Sequence, residues 1–272
     1  MYDESLVSVI IPTHNAADTI ERCLESILNQ TYGPIEIICC DDCSSDNTLD
    51  IIKKYEARGV KVLANDRNMR AAYSRNRCIE ISSGQFIAQI DDDDYCVPER
   101  IEKQVRFLQE NPKYDFVGTG IFYFDENGVW GQSGWEEGYA PTKESFLRNS
   151  VFINPSMMYR ASCIKMINGY RVSKETRRSQ DYDMHMRLYI AGYLGYVLPD
   201  RLTYYYRGEK SYPKIKYEYR IDEAKIRFRN YKALGLMPKG AIYALKPLIV
   251  GLIPSKLVDN LFKKKKLKVK SL

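Results

Sequence analysis

Short hydrophobic runs alternate with amphipathic segments along roughly the first 110 residues of the chain. The hydrophobic runs are rich in Val and Ile and predict four strands, at 6–12, 35–40, 60–64 and 85–90. Helices are predicted where apolar residues recur three and four positions apart: after Asp18 or Thr19, after 44–46, over 71–82 and over 98–108. Because buried parallel strands are almost continuously hydrophobic, this pattern predicts βαβ units in a parallel sheet.

The second half of the chain has a less regular pattern. It predicts strands over 116–124 and 197–206, and helices over 180–191 and 221–234. Residues 129–150 contain Gly and Trp without a clear period and are expected to be mostly loop. The whole pattern predicts an α/β fold: a Rossmann-like, mostly parallel sheet flanked by helices, with a helical and basic C-terminal appendage.

Composition and charge narrow the possible classes of protein. The chain has 272 residues, of which 44% are hydrophobic and 28% are charged. This balance excludes a disordered or collagen-like protein and favours one large domain. The whole net charge of +6 comes from the six lysines of residues 263–270, because the remaining chain is formally neutral. We therefore expect no nucleic-acid partner, since such proteins usually carry a broader basic surface.

The basic run follows an apolar stretch at 240–262. A basic, amphipathic C-terminal segment favours contact with an anionic membrane surface, and we expect Lys263 to Lys270 to make that contact. There are two alternatives: this segment is a helix that packs on the body of the protein and ends in a charged tail, or it binds RNA. The longest apolar run, 241–254, has about 14 residues, whereas a membrane span needs roughly 20. With no signal peptide and an odd count of seven cysteines, we expect reduced thiols and a cytoplasmic protein on the inner membrane face.

Four adjacent aspartates, Asp91, Asp92, Asp93 and Asp94, follow the fourth predicted strand. In parallel sheets, ligands bind outside the carboxyl ends of the strands. Adjacent carboxylates repel one another unless water or a cation neutralises them, so a solvated acidic turn is the alternative. Oxygen ligands of this kind suit Mg²⁺ or Mn²⁺ held jointly with a diphosphate, and we favour that interpretation.

Other charged residues lie near the same predicted edge. Asp42 ends the second strand region, where it could cap the next helix or reach a nucleotide. Arg70, Arg75 and Arg77 precede the acidic strand, and arginine pairs well with phosphate oxygens. Arg75 shares a helix face with apolar residues. A plain surface position is therefore less expected for Arg75 than for Arg70 or Arg77.

Asp181 and Asp183 open the helix predicted at 180–191. The helix dipole favours one carboxylate there but does not require two. A general base needs a carboxylate within reach of the nucleophile's proton, and either aspartate could serve. His14 is a candidate substrate contact, whereas His185 is expected on the helix surface or in packing. Cys39, Cys40 and Cys43 lack a second ligand pair at zinc spacing.

Several motifs, in order and at matching spacing, resemble family 2 glycosyltransferases over about residues 5–210. They are VSVIIPTHN from Val7, SILNQTY from Ser26, EIICCDDCSSDNT from Glu36, SRN from Ser74, GQFIAQIDDDD from Gly84 and QDYD from Gln180. The resemblance implies a GT-A fold and transfer of a sugar with inversion at its anomeric carbon. It also implies a nucleotide-sugar-binding half at 1–112, an acceptor-binding half at 113–212 and a membrane-associating region at 213–272.

The resemblance assigns roles to individual residues. Pro12, Thr13, His14, Asn15 and Asp42 would hold the uracil and ribose of a UDP-sugar, with Arg75 at the diphosphate. Asp91, Asp92 and Asp93 belong to the donor site, and Asp93 and Asp94 would hold Mn²⁺ or Mg²⁺. Asp181 matches the catalytic base, and Asn154, Pro155, Ser156 and Gln180 would lie near the acceptor. The sequence departs from the family in several places. Members usually have Tyr where His14 stands, and often have Glu where Gln180 precedes the base. Glycines common near Arg70 and Cys78 are absent, and so is the histidine often found after Tyr206.

The size and basic end resemble enzymes of bacterial O-antigen or capsule assembly. These transfer a hexose to a sugar on a polyprenyl diphosphate. The four aspartates together with the lysine-rich end are similar to β-1,3-glucosyltransferases that act on GlcNAc-diphospho-undecaprenol, which makes glucose the best expectation. A galactosyl- or GlcNAc-transferase, a nucleotidyltransferase and a non-catalytic nucleotide-sugar-binding module are the alternatives, although the Gly-rich phosphate loop of a nucleotidyltransferase is absent.

Overall fold

The computed structural model describes residues 4–148, 150–208 and 216–253. These residues form strands at β1 Val7–Thr13, β2 Ile35–Asp41, β3 Val60–Ala64, β4 Phe86–Gln89, β5 Tyr95–Cys96, β6 Phe116–Asp125, β7 Gly128–Ser133, β8 Met158–Arg160 and β9 Gly195–Tyr206. The α-helices are α1 Ile20–Leu28, α2 Thr48–Lys54, α3 Ala71–Ile81, α4 Arg100–Glu110, α5 Ala161–Met166, α6 Gln180–Ile190, α7 Tyr217–Ala233 and α8 Lys239–Val250. Short 3₁₀ helices lie at Tyr55–Arg58, Lys143–Leu147 and Asn154–Ser156.

All the described strands belong to one mixed sheet with the order β3-β2-β1-β4-β8-β6-β9-β5, and β7 pairs with β6. β1 is parallel to β2 and β4, and β2 is parallel to β3. β8 runs antiparallel to both β4 and β6, whereas β6 and β9 are parallel. The predicted α/β architecture, with a Rossmann-like sheet flanked by helices, is confirmed.

The sheet separates two hydrophobic cores. Ile10 of β1 faces one core, whereas Val9 and Ile11 face the other, because successive side chains of a strand point to opposite faces. The neighbouring Cys39 and Cys40 are divided between the cores in the same way. Burial on both faces explains why β1 and β2 are mostly hydrophobic, with polar side chains confined to positions near their ends.

Three predicted boundaries differ from the structure. Residues 129–150 are loop-rich as predicted, but they begin with an unpredicted strand, β7, which pairs with β6 through a turn in which Gly128 has a left-handed φ of 102°. Pro98 lies in a turn before α4 and not in its first helical position. α7 begins at Tyr217, four residues before the predicted start.

Two helices, α7 and α8, complete the described chain and pack on each other. Along the described residues, no helix combines the length and hydrophobicity needed to cross a membrane. The basic segment from Lys263 to Lys270 lies outside the described residues.

Candidate active site

The acidic run follows β4 at the edge of the sheet where β1 and β2 also end. Asp92 accepts a hydrogen bond from the backbone N–H of His14, between the end of β1 and this run, at 2.9 Å. Asp94 turns inward and is fully buried, and its Oδ1 accepts the backbone N–H of Tyr206 at 2.7 Å. Asp92 and Asp94 therefore tie this turn to the ends of two other strands, β1 and β9.

The carboxylates of this run are poorly compensated. Burial, together with the neighbouring Asp93, raises the pKa of Asp92 to about 8. Burial and Asp91 raise the pKa of Asp93 to about 6, and burial also raises the pKa of Asp94. Oδ2 of Asp94 is buried without a hydrogen-bond partner. A cation close to these oxygens would lower the cost of ionising them.

Hard oxygen donors fit Mg²⁺ or Mn²⁺, and the unpartnered Oδ2 of Asp94 is consistent with such an ion. Within the described ranges, however, no three His, Cys, Asp or Glu side chains are grouped closely enough to enclose a metal. These residues thus fit a cation that takes its remaining ligands from water and a substrate, as Mg²⁺ commonly does.

Arg75 of α3 lies between the acidic run and the start of α6. It is 4% exposed, and its Nη2 lies 2.5 Å from Oδ1 of Asp91 while its Nη1 lies 3.8 Å from Oδ1 of Asp181. Its guanidinium also lies over the ring of Tyr170, 5.4 Å from the ring centre. Burial opposes its charge, but Asp91, Tyr170 and Asp181 outweigh burial and raise the pKa of Arg75. Arg75 therefore remains a cation beside two carboxylates.

Asp181 faces a cleft of about 400 Å³ that also contains Asp91 and Asn154. Its Oδ1 is buried, lies 3.8 Å from Nη1 of Arg75 and accepts no hydrogen bond from the described residues, while the side chain as a whole is 36% exposed. Burial raises the pKa of Asp181 to about 6, Arg75 lowers it and Asp91 raises it. Near neutral pH this carboxylate is therefore ionised, and its exposed part can take up a proton, as a general base must.

Asp183 has a different environment, although it is two residues away. It is fully buried, and its oxygens lie 3.5 Å from Arg171, 3.9 Å from Arg187 and 3.3 Å from Arg229. Asn230 of α7 donates a hydrogen bond to it at 2.9 Å. This carboxylate joins α6 to α7 and does not line the cleft. Of the two candidates left open by the sequence, Asp181 lines the cleft and Asp183 does not.

Replacing Asp183 with asparagine should destabilise the fold by roughly 3 kcal/mol, because three arginines lose a buried counter-charge. Catalysis per folded molecule should change only a few-fold. Urea denaturation and turnover at low temperature would measure the two effects separately. A folded variant with turnover abolished would contradict the structural role of Asp183.

The predicted acceptor residues are divided between the cleft and the interior. Asn154 and Pro155 line the cleft, and Nδ2 of Asn154 is buried without a partner. Ser156 is fully buried and donates to the carbonyl of Ile153 at 2.8 Å, so its hydroxyl supports the backbone. Gln180 is partly exposed beside the cleft but is not among the residues that line it.

The predicted nucleotide residues lie at the ends of β1 and β2. Pro12 is buried within β1, and Thr13 is buried with an unpartnered Oγ1. His14 is exposed, and Oδ1 of Asn15 accepts the backbone N–H of Ser45 at 2.8 Å. These contacts hold the turn after β1 against the segment after β2, while the imidazole of His14 stays accessible.

Asp42 is committed to the protein's own backbone. It is 3% exposed, and it accepts the N–H groups of Met69 at 2.7 Å and Arg70 at 2.6 Å, together with the side-chain amide of Asn65 at 2.7 Å. Arg70 has a left-handed φ of 73°, a conformation that favours glycine. The hydrogen bonds that Asp42 accepts therefore support a strained loop at a position where the resemblance predicts a nearby glycine that this sequence lacks.

Sequence reasoning missed several residues that surround the cleft. Tyr170 lies beneath Arg75, and its hydroxyl donates a hydrogen bond to Oε1 of Gln89 at 2.6 Å. Three arginines line the cleft: Arg178, Arg207 and Arg227. Arg207 directly follows β9, which the hydrophobic pattern had located.

His185 is fully buried in packing, with Nε2 at 2.8 Å from the Tyr159 hydroxyl, and burial lowers its pKa to about 3.

Comparisons with known proteins agree with this geometry. The family model "Glycosyl transferase family 2" matches residues 8–168. EpsE of Bacillus subtilis (strain 168), which is named as a glycosyltransferase, is 36% identical over 262 residues, covering 95% of this chain and 94% of EpsE. WfaP of Escherichia coli, named as a UDP-Glc:α-D-GlcNAc-diphosphoundecaprenol β-1,3-glucosyltransferase, is 41% identical over 43% of this chain and 51% of its own length.

The fold also matches solved structures. The crystal structure of S. aureus TarS 1-349 superposes with a TM-score of 0.71 at 23% sequence identity, over 89% of this chain and 71% of TarS 1-349. The corresponding structure in complex with UDP-GlcNAc gives a TM-score of 0.70 over 91% of this chain and 71% of that one. The order of strands, the acidic edge and the family match over residues 8–168 lead to one conclusion: the chain belongs to glycosyl transferase family 2.

Proposed function

We propose that this enzyme transfers a hexose, with inversion, from a UDP-sugar to an acceptor sugar linked to a lipid diphosphate in the synthesis of a bacterial surface polysaccharide. Glucose transferred β-1,3 to GlcNAc is the specific form we favour. The observation that carries the proposal is the Asp181 carboxylate, which lines the cleft with its side chain 36% exposed, next to Arg75 and the acidic run. The name of EpsE supports glycosyl transfer as the reaction. The name of WfaP supports a lipid diphosphate as the carrier of the acceptor sugar.

In the proposed reaction, Asp181 removes the proton from the acceptor hydroxyl. The hydroxyl oxygen then forms a bond to the anomeric carbon from the face opposite the UDP group. The bond from that carbon to the diphosphate oxygen breaks, and its electron pair leaves with UDP. Configuration at the carbon is inverted because attack and departure take place on opposite faces, and Asn154 and Pro155 shape the acceptor side.

The donor site in this proposal lies along the edge formed by β1, β2 and β4. His14 and Asn15 lie closest to the base and ribose, while Asp42 holds the loop beside them. Asp93 and Asp94 would hold Mg²⁺ or Mn²⁺, which supplies positive charge to the leaving diphosphate. Arg75 is the described cation nearest to both the acidic run and Asp181, so it can stabilise the same charge.

This arrangement also gives the division of the chain that we propose. Residues 1–112 bind the nucleotide-sugar, residues 113–212 supply the acceptor side and the base, and residues 213–272 associate with the membrane. Both halves of the enzyme share one continuous sheet, since β8 joins β4 to β6. Donor and acceptor therefore meet on a rigid frame.

A donor screen tests the proposed reaction. Purified protein is incubated with Mn²⁺, a GlcNAc-diphospho-lipid analogue and one of several UDP-sugars, and the product is followed by mass. We expect the addition of one hexose from UDP-glucose, lost with EDTA and restored by Mn²⁺ or Mg²⁺. Transfer from UDP-galactose or UDP-GlcNAc alone would replace the proposed sugar. Tight UDP-sugar binding without turnover would favour a non-catalytic binding module.

The membrane contact can be tested by deleting residues 263–272. The deletion removes six lysines, and each lysine near an anionic surface contributes about 1 kcal/mol to binding. We expect at least a 100-fold weaker affinity for phosphatidylglycerol vesicles in sedimentation assays, while turnover of a soluble acceptor stays unchanged. Phosphatidylcholine vesicles are the control. Equal binding of both proteins to anionic vesicles would contradict the proposed contact.

A further inference from the structure

A second cavity, of about 620 Å³, lies between the 3₁₀ helix Lys143–Leu147 and α8. Three aromatic side chains line it, Trp135, Tyr139 and Tyr243. The rings of Trp135 and Tyr139 lie 4.8 Å apart and tilted by 52°, so they present two different faces to the space. Aromatic faces beside polar groups, here including Thr142 and Ser145, are a common lining for a sugar-binding site.

This cavity adjoins the cleft that contains Asp181. Ser150 lines both spaces, and the chain that follows divides its side chains between them, with Val151 in the cavity and Phe152 in the cleft. Asn154 and Pro155 continue the same segment along the cleft. A single extended molecule can therefore reach from the base into the cavity along residues 150–155.

The lining of the cavity carries more positive than negative charge. Arg148 and Lys239 line the cavity, and Nζ of Lys246 donates to the carbonyl of Arg148 at 2.9 Å. Arg227 lines the neighbouring cleft. Glu144 is the acidic side chain among the described residues of the cavity lining, so cations exceed anions there. Such a distribution favours a phosphorylated ligand.

α8 has two different faces. It turns Lys239 and Tyr243 towards the cavity. Its other side exposes a hydrophobic stripe made of Ile242, Leu245 and Ile249, which are 77%, 54% and 66% exposed. These residues recur at the spacing of one helix face, so the stripe is continuous. A ligand that leaves the cavity past α8 meets an apolar surface.

We infer that this cavity binds the diphosphate of the lipid-linked acceptor and contacts the sugar that carries it, while the reacting hydroxyl of that sugar lies in the cleft and the hydrocarbon chain leaves along the apolar stripe of α8. The inference rests on the proposed function, because it takes the acceptor class from it. It adds a second subsite, formed by Trp135, Tyr243 and Lys239, that selects acceptors carrying a diphosphate and a lipid. The cleft then needs to recognise only the reacting end of the acceptor.

The two tryptophans of the chain allow a direct binding test. Trp130 stacks on Tyr123 at 5.1 Å, away from the cavity lining, so Trp130→Phe keeps an aromatic ring there and leaves Trp135 as the fluorescent probe. GlcNAc-diphosphate carrying an octyl chain is titrated into this variant without any donor. We expect a saturable change in Trp135 emission with this compound, and none with UDP or octyl-GlcNAc lacking the diphosphate.

Substitutions then separate binding from chemistry. In the same background, Tyr243→Ala should weaken binding of the octyl compound about tenfold and raise its KM, with kcat and the KM for the UDP-sugar unchanged. Phe228→Ala is the control, since this ring is 54% exposed on α7 and lines neither space. Lys239→Gln should weaken binding of the diphosphate compound, because it removes a positive charge from the cavity lining.

An unchanged Trp135 signal at acceptor concentrations that saturate turnover would overturn the inference while leaving the proposed reaction intact. Equal losses of affinity in Tyr243→Ala and Phe228→Ala would overturn it as well. A Trp135 response without transfer from any UDP-sugar would support the subsite and overturn the proposed reaction instead. The two proposals therefore fail in different ways.

Discussion

Replacing Asp181 with asparagine is expected to lower kcat by about 10³-fold, because a positioned general base contributes typically 10²–10⁴-fold to such a reaction. Asparagine keeps the size of the side chain but cannot accept the proton. Oδ1 of Asp181 lies 3.8 Å from Arg75, but Arg75 keeps its closer partner Asp91 at 2.5 Å, so the fold should survive the substitution. UDP affinity, measured by calorimetry, should stay within a few-fold of wild type, and urea denaturation should show a folded protein.

The pH dependence gives an independent check of this assignment. The pKa of Asp181 is raised by burial to about 6, and only the ionised form can act as a base. In wild type, kcat/KM should therefore fall as the pH decreases through about 6, and the residual activity of Asp181→Asn should lack that decrease. The matched control is Asp183→Asn, which removes a carboxylate two positions away on the same helix. Equal turnover in Asp181→Asn and wild type would refute Asp181 as the base.

The contrast between these two aspartates shows what the sequence could and could not provide. Residues two positions apart on a helix point about 200° apart, so Asp181 and Asp183 face different sides of α6. The sequence did not reveal which side faces the cleft, because two of the three arginines around Asp183, Arg171 and Arg229, belong to other segments of the chain. Tertiary contacts decided between two chemically identical candidates.

The strands and their ends were predictable for a different reason. β1, β2 and β4 are buried on both faces, so their hydrophobic runs are unambiguous and the aspartates that follow them must reach the same edge. The contacts of these aspartates were not predictable. Asp94 pairs with the backbone of Tyr206, which is 112 positions away, and Tyr170 under Arg75 belongs to a segment without any period. Long-range pairing of this kind leaves no local pattern.

Replacing Arg75 with methionine is expected to reduce activity at neutral pH by roughly 100-fold, through two effects that add. The first is the loss of a cation that can stabilise the leaving diphosphate. The second acts on the base, because Arg75 lowers the pKa of Asp181 while burial and Asp91 raise it. Without the guanidinium this pKa rises above about 6, and each unit above the assay pH decreases the ionised fraction about tenfold.

The two effects can be separated by the pH profile. The acid limb of kcat/KM should move to higher pH in Arg75→Met, so that raising the pH restores part of the activity. Arg75→Lys keeps the charge and should leave this limb nearly in place, even if it binds the diphosphate less well. Because Arg75 is 4% exposed and paired with Asp91, the methionine variant should also lose about 3 kcal/mol of stability, which urea denaturation would measure. A folded Arg75→Met protein whose acid limb coincides with that of wild type would show that Asp181 titrates independently of Arg75, and the 3.8 Å ion pair would then have no role in tuning the base.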